Sequence, residues 1–205
     1  EFVYEQSKHK TRIAIAGSHG KTSITSMIMH LLHFNKKKFD YLVGAKLDGF
    51  NFMVKTSEDA PLIVLEADEY LTSPLDLRSK FLHYHPHIAI ISGIAWDHIN
   101  VFPTYENYVE QFEIFIKLIT NGGILVYNEE DSEVKRVAEA ATNPIRKLPY
   151  STPNYKVENG VTLLETPEGD MPIAVFGAHN LNNLAGAKWI CQNMGVDEDD
   201  FYEAI

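Results

Sequence analysis

Lys21 and Thr22 close the run Gly17-Ser18-His19-Gly20-Lys21-Thr22, and an aliphatic stretch at residues 13–16 leads directly into it. A helical pattern follows over residues 23–34. This order of strand, glycine-bounded loop, Lys-Thr and helix can cradle the phosphates of a nucleoside triphosphate. Backbone N–H groups and the helix N-terminus face the anion, the lysine reaches the terminal phosphates, and the threonine hydroxyl can ligate magnesium. The alternative is a plain structural turn. The common form of the loop has a glycine where Ile15 stands, so only the tighter G-x-x-G-K-T is present. His19, inside the loop, suits either a substrate contact or a cap on the turn.

Three more groups carry chemistry. Glu66-Ala67-Asp68-Glu69 follows an apolar run at 62–65. An acid at the tip of a core strand is where nucleotide-using enzymes place a magnesium ligand, and Glu66 is the first residue beyond the run. A solvated acidic loop is the competing reading. Trp96-Asp97-His98 follows the run at 88–92 and reads as a metal ligand or as a hydrogen-bonded structural pair. His83, His85 and His87 are too scattered for a zinc site. Gly177-Ala178-His179-Asn180-Leu181-Asn182-Asn183 opens the last long helical pattern. Its amides could cap a helix or read the donor and acceptor edge of an adenine.

The elements that must position these groups alternate. Aliphatic runs at 62–65, 88–92, 124–127 and, more weakly, 145–150 read as buried strands, with a short strand at 39–43. Helical patterns cover 23–34, 104–120, 131–141 and 180–194; Thr104, after Pro103, suits a helix start, and Asn121-Gly122-Gly123 a stop. An α/β fold follows: a doubly wound, mostly parallel sheet carrying ligands at the C-terminal ends of its strands. Beyond Tyr150, Pro153, Asn159-Gly160, Pro167, Gly169 and Pro172 punctuate alternating runs at 155–157, 161–164 and 173–176. That pattern predicts a small antiparallel sheet before the final helix.

Composition narrows the classes. A chain of 205 residues fits one large domain, or one with a small appendage, and 45% apolar content supports a sizeable core. A net charge of −10 argues against a nucleic-acid partner. Part of it lies in Asp197-Glu198-Asp199-Asp200, which suits a solvated helix start. The single cysteine, Cys191, excludes an internal disulfide and reads as a buried structural thiol, in keeping with a reducing cytoplasm. No segment approaches the ~18 uninterrupted apolar residues of a membrane span, so a soluble protein without a membrane partner is expected. The start at Glu1 rather than Met, and the stop at Ile205 within a helical pattern, imply a piece of a longer protein.

Together and in this order, the four motifs resemble the central ATP-binding domain of the Mur ligases, which build the peptide stem of bacterial peptidoglycan. The family's G-T-x-G-K-[ST] loop is Gly17-Ser18-His19-Gly20-Lys21-Thr22 here, and this explains the missing early glycine. Glu66-Ala67-Asp68-Glu69, Asp97-His98 and the G-x-H-N-x-x-N block from Gly177 to Asn183 match as well, so the resemblance spans essentially the whole chain. The acidic block and the loop histidine resemble the branch acting on UDP-N-acetylmuramate itself. Within it, Glu69-Tyr70, Arg78-Ser79-Lys80-Phe81, His83-Tyr84 and Pro86 look like the ligases that rejoin an intact tripeptide, L-alanyl-γ-D-glutamyl-meso-diaminopimelate. The L-alanine-adding ligases are the alternative. Gly93 and Ala95 depart from the Asn and Glu that relatives usually carry, and the 150–176 region is shorter than in the alanine ligases.

The resemblance implies ATP and Mg²⁺ as cofactors, and UDP-N-acetylmuramate with an amino acid or peptide as partners. ATP would phosphorylate the lactyl carboxylate, and an amine would displace the phosphate. Gly17, Ser18, His19, Gly20, Lys21 and Thr22 would hold the phosphates; Thr22 and Glu66 the first magnesium; His98 the second; and His179, Asn180 and Asn183 the adenine. Lys21 and His98 would be catalytic, and Arg78 has no assigned role. Residues 1–205 would be the central domain alone, without the N-terminal UDP-binding and C-terminal domains, and inactive by themselves. A stand-alone P-loop regulatory module and a folylpolyglutamate synthase are rival readings.

Overall fold

Ile13 and Ile15 face one side of a central sheet, and Ala14 and Ala16 face the other. This period-2 alternation sets two cores back to back. The computed structural model describes residues 2–205. In chain order the elements are α1 (Phe2–Ser7), β1 (Thr11–Ala16), α2 (Lys21–Phe34), β2 (Phe39–Leu42), β3 (Val54–Lys55), β4 (Leu62–Glu66), β5 (Leu71–Ser73) and β6 (Asp76–Ser79). A 3-10 turn (Lys80–His83), β7 (Ile88–Ile91), α3 (Tyr105–Lys117), β8 (Ile124–Asn128), α4 (Ser132–Ala140) and β9 (Arg146–Tyr150) come next. The chain closes with β10 (Tyr155–Glu158), β11 (Val161–Thr166), β12 (Gly169–Ile173), α5 (Ala178–Asn193) and α6 (Glu198–Ala204).

Seven strands form one sheet in the order β3-β2-β4-β1-β7-β8-β9, all parallel except the edge strand β3. β10, β11 and β12 make a separate antiparallel sheet, and β5 with β6 a small hairpin. The doubly wound, mostly parallel architecture with its small antiparallel sheet is therefore the one predicted. The Ile13 face packs on α2, α5 and α6. On the opposite face the small side chains of Ala14, Ala16 and Ala89 leave room for Phe81, Phe112 and Phe115. There Phe81 stacks on Phe115 with ring centroids 4.6 Å apart and meets Phe112 edge-on.

Local rules hold at most boundaries. The Thr104 hydroxyl accepts a hydrogen bond from the Asn107 N–H, Asp131 accepts from Glu133 and Val134, and Asp197 from Asp200, so three helices start on side-chain caps. Asn159 and Gly160 both have positive φ between the paired Glu158 and Val161, the geometry of a two-residue hairpin turn.

Three expectations shift. The last hairpin strand runs over Gly169–Ile173 rather than 173–176, because Thr166 pairs with Gly169 and the strand starts directly after the Pro167-Glu168 turn. α3 stops at Lys117, and the residues up to Thr120 form a turn whose Thr120 N–H bonds to the Pro86 carbonyl. The polar N-terminal stretch contains α1, whose Tyr4 ring lies over the Arg12 guanidinium at 5.2 Å. No helix among the described residues is long and apolar enough to cross a membrane.

Candidate functional site

Sheet register carries the site. Ile15 pairs with Glu66 across β1 and β4, and Ala16 with Ile91 across β1 and β7, so the loop after β1 leaves the sheet level with two other strand tips. The Ala67 N–H bonds to the Ile15 carbonyl at 2.8 Å and keeps the acidic tip attached to the loop's own strand. The turn from β1 into α2 requires two glycines. Gly17 has φ +132 and Gly20 φ +80, and a Cβ at either would lie 2.2 Å from Ser92 Oγ or 2.5 Å from Asn183 Oδ1. α2 starts without a side-chain cap and with no acid in its first turn. Its first N–H groups are thus left for an anion.

Lys21 and Thr22 each meet one acid of β4's tip. Thr22 Oγ1 donates to Glu66 Oε1 at 2.9 Å, and Glu66 Oε2 accepts from the Gly44 N–H at 3.0 Å. Lys21 Nζ lies 2.7 Å from both Glu69 Oε2 and the Gly17 carbonyl. A hydroxyl beside a carboxylate next to a phosphate-sized cradle is a hard-oxygen donor set of the kind magnesium prefers, so these residues fit the ion.

His98, in the left-handed region at φ +54, joins a different part of the tip. Its Nε2 is 3.8 Å from Glu69 Oε1 and 3.9 Å from Asp97 Oδ2, and its ring meets Tyr70 edge-on at 4.9 Å. Asp97 also accepts from the His98 backbone N–H. Candidate ligand atoms of Asp68, Glu69 and His98 lie within 4.8 Å of one another. Asp68 pairs with Lys80 at 2.7 Å. Burial opposes ionisation of Asp68, but its hydrogen bonds to Lys80 and the Tyr70 N–H outweigh that and hold its pKa below the ordinary carboxylate value.

The segment with Gly93 and Ala95 reaches the loop through its backbone. Ser18 N–H donates to the Gly93 carbonyl, Ser18 Oγ accepts from the Ala95 N–H at 2.7 Å, and Asp131 accepts from the Ile94 N–H. Ser92 Oγ donates to the His19 carbonyl. Main-chain groups of Gly93 and Ala95 therefore bind Ser18 of the loop, and that of Ile94 ties the segment to the start of α4.

On the far side of the loop a cavity of about 550 Å³ is lined by His19, Gly20, Glu130, His179, Asn182 and Asn183, among others. The buried Asn182 amide donates to Asn128, Glu130 and Thr152, and Glu130 in turn accepts from the Thr152 N–H and hydroxyl. His179 and Asn183 line this space. Asn180 instead bonds back to the Phe176 carbonyl at 3.1 Å, and α5 has no side-chain cap. Arg78 forks onto Asp76 through two nitrogens, at 2.9 and 2.8 Å.

The structure thus brings together the loop, Thr22 with Glu66, and His179 with Asn183, while His98 sits with Glu69 rather than Glu66. Sequence reading missed Glu69 as the partner of Lys21, and it missed Tyr108, Asn128, Glu130 and Thr152. Asn128 and Glu130 had a usable signal, since they end a buried run just before a capping Asp131. Tyr108 had none, because it sits on the apolar face of a helix like any core residue.

A doubly wound sheet whose first strand runs through a glycine-bounded loop and Lys-Thr into a helix defines a P-loop α/β domain. The Mur ligase middle domain family matches residues 15–191, and the chain belongs to that family. It is 33% identical over 94% of its length to a UDP-N-acetylmuramate–L-alanyl-γ-D-glutamyl-meso-2,6-diaminoheptandioate ligase of Haemophilus influenzae, covering 44% of that protein. It is 34% identical over 90% of its length to the UDP-N-acetylmuramate–L-alanine ligase of Rubrobacter xylanophilus, covering 41% of it. The chain thus spans less than half the length of these relatives. The crystal structure of a UDP-N-acetylmuramate:L-alanyl-γ-D-glutamyl-meso-diaminopimelate ligase from Neisseria meningitides shares the fold, with a TM-score of 0.82 and 24% identity. The match covers 99% of this chain and 68% of that one.

Proposed function

We propose that this chain is the ATP-binding central domain of a longer cytoplasmic ligase. That ligase joins the lactyl carboxylate of UDP-N-acetylmuramate to the amine of L-alanyl-γ-D-glutamyl-meso-diaminopimelate. The observation that carries the reading is the pairing of Thr22 with Glu66 and of Lys21 with Glu69 at one strand tip beside the loop. A carboxylate oxygen of the sugar attacks the terminal phosphorus of ATP, releasing ADP and leaving an acyl phosphate. The amine nitrogen then adds to the acyl carbon, phosphate departs with the C–O electron pair, and the amine gives up a proton. Both steps crowd negative charge at the loop, where Lys21 and the N-terminus of α2 meet it.

Thr22 and Glu66 would hold a magnesium ion and His98 a second, supplying Lewis-acid neutralisation of phosphate charge. His179 and Asn183 would face the adenine, with Asn180 closing the turn behind them. Domains for the UDP moiety and for the incoming amine would lie elsewhere in the full-length protein, and this chain alone would not ligate.

The L-alanine-adding activity is the second reading, favoured by the Rubrobacter xylanophilus relative. The test is mass analysis of products formed by the full-length protein from MgATP, UDP-N-acetylmuramate and either tripeptide or L-alanine. Preferential joining of tripeptide is expected. Joining of L-alanine alone selects the second reading, and joining of neither removes both.

A further inference from the structure

Glu69 has no exposed surface, yet it carries a charge-bearing group three residues beyond β4, whose last residue, Glu66, is the magnesium candidate. Its Oε2 lies 2.7 Å from Lys21 Nζ, and its Oε1 accepts from the Tyr108 hydroxyl at 3.0 Å. Tyr108 is fully buried as well, wedged edge-on between Phe102 and Phe112. A carboxylate withdrawn from water persists only where charge and hydrogen bonds replace the solvent. Lys21 supplies the charge and Tyr108 the second hydrogen bond.

The ammonium of Lys21 has three N–H donors. One goes to Gly17's carbonyl and one to Glu69, so two of three directions are taken by groups on the loop and on the segment that follows β4. The third is left over, on a side chain that keeps 15% of its surface exposed.

We propose that Glu69 is the positioning residue for Lys21, with Tyr108 fixing the orientation of the carboxylate. The pair holds the lysine amine in its working place before nucleotide arrives and leaves one N–H for a phosphate oxygen. The inference rests on the reading of the loop as an ATP site. It also has a charge consequence. Lys21 and Glu69 together are neutral, so the phosphates must draw most of their compensation from α2's N-terminus and a bound cation.

Two measurements test this, and they fail separately. In this chain, labelled with ¹⁵N-lysine, the Lys21 ammonium should give a resolved resonance, because two hydrogen bonds and burial slow its exchange with water. Glu69→Gln should abolish that resonance. Tyr108→Phe, which keeps the ring packing, should shift it without abolishing it. In the full-length ligase Glu69→Gln should lower kcat about 100-fold, as expected for a misplaced reacting group, with KM for ATP changed less than threefold. An unchanged ammonium resonance in Glu69→Gln overturns the proposal. So does a kcat at or above wild type, or tighter ATP binding, either of which would make Glu69 a brake on Lys21. If the wild-type ligase forms no amide, the functional reading fails while the resonance still decides where Lys21 is held.

Discussion

Gly17→Ala separates a backbone requirement from a mere preference for glycine. At φ +132 a side chain is strained whatever the space, at a cost of roughly 1–3 kcal/mol. The space is also missing. The new Cβ would lie 2.2 Å from Ser92 Oγ and 3.0 Å from the backbone nitrogens of Ser92 and Gly93. Ser92 Oγ cannot swing away freely, because it donates to the His19 carbonyl with the Ala16 carbonyl 3.3 Å away, and the two nitrogens belong to the main chain. Overpacking of that kind adds about 1–3 kcal/mol. The total of roughly 4 kcal/mol corresponds, for a chain of this length, to a fall in Tm on the order of 10 °C. Gly122→Ala is the control: φ is +79, but nothing lies within 4 Å of the added carbon, so only the ~1–2 kcal/mol of left-handed strain applies. Thermal and urea unfolding of the two variants give the comparison. Equal losses at the two positions would refute the claim that the strand tip at Ser92 closes over the loop.

Three further outcomes follow from the same physical reasoning. Lys10 is buried against Asp40 at 2.7 Å and also donates to the Ser57 and Ala60 carbonyls; Lys10→Met strands that carboxylate and should cost about 3–5 kcal/mol in urea unfolding, whereas a loss under 1 kcal/mol would contradict a buried pair. Burial first, and the Arg12 charge second, push the pKa of His87 below its ordinary 6.5, and its Nδ1 accepts from the Arg12 N–H. A folded pKa below the unfolded one means that His87 contributes stability above pH 6.5 that is lost as the pH falls through the folded value. The drop in stability between pH 7 and 5 should be smaller in His87→Gln than in wild type. Burial pushes the Cys191 thiol up, so a thiol reagent at pH 8 should label it only on unfolding; rapid labelling of the native chain would place it at an accessible surface.

The fold was legible because its central strands are short aliphatic runs and three of its helices carry side-chain caps within a residue or two of where they were expected. Thr104, Asp131, Asp197 and Asn159-Gly160 act through local chemistry, and local chemistry is written in sequence. β5, β6 and the edge strand β3 were not legible. They are two to four residues long, bury no apolar side chain, and exist only because a neighbouring strand is there to pair with. The site divides in the same way. Gly17 to Thr22 and Glu66 stand out by type and by position at strand ends. The Lys21–Glu69–Tyr108 chain joins residues 48 and 39 positions apart, so it depended on the sheet register and on where α3 crosses the opposite face. Asn180 shows the reverse: its motif suggested a capping or base-reading amide, and its amide instead ties back to Phe176.

Oxygen transfer in the full-length ligase tests the proposed chemistry most directly. UDP-N-acetylmuramate carrying ¹⁸O in its lactyl carboxylate is incubated with MgATP and tripeptide, and the released phosphate is weighed by mass spectrometry. An acyl phosphate made at Lys21 and the Thr22–Glu66 pair predicts one ¹⁸O in each phosphate formed, and loss of that phosphate in Lys21→Met. Phosphate containing only ¹⁶O, or product formed without phosphate release, would contradict it.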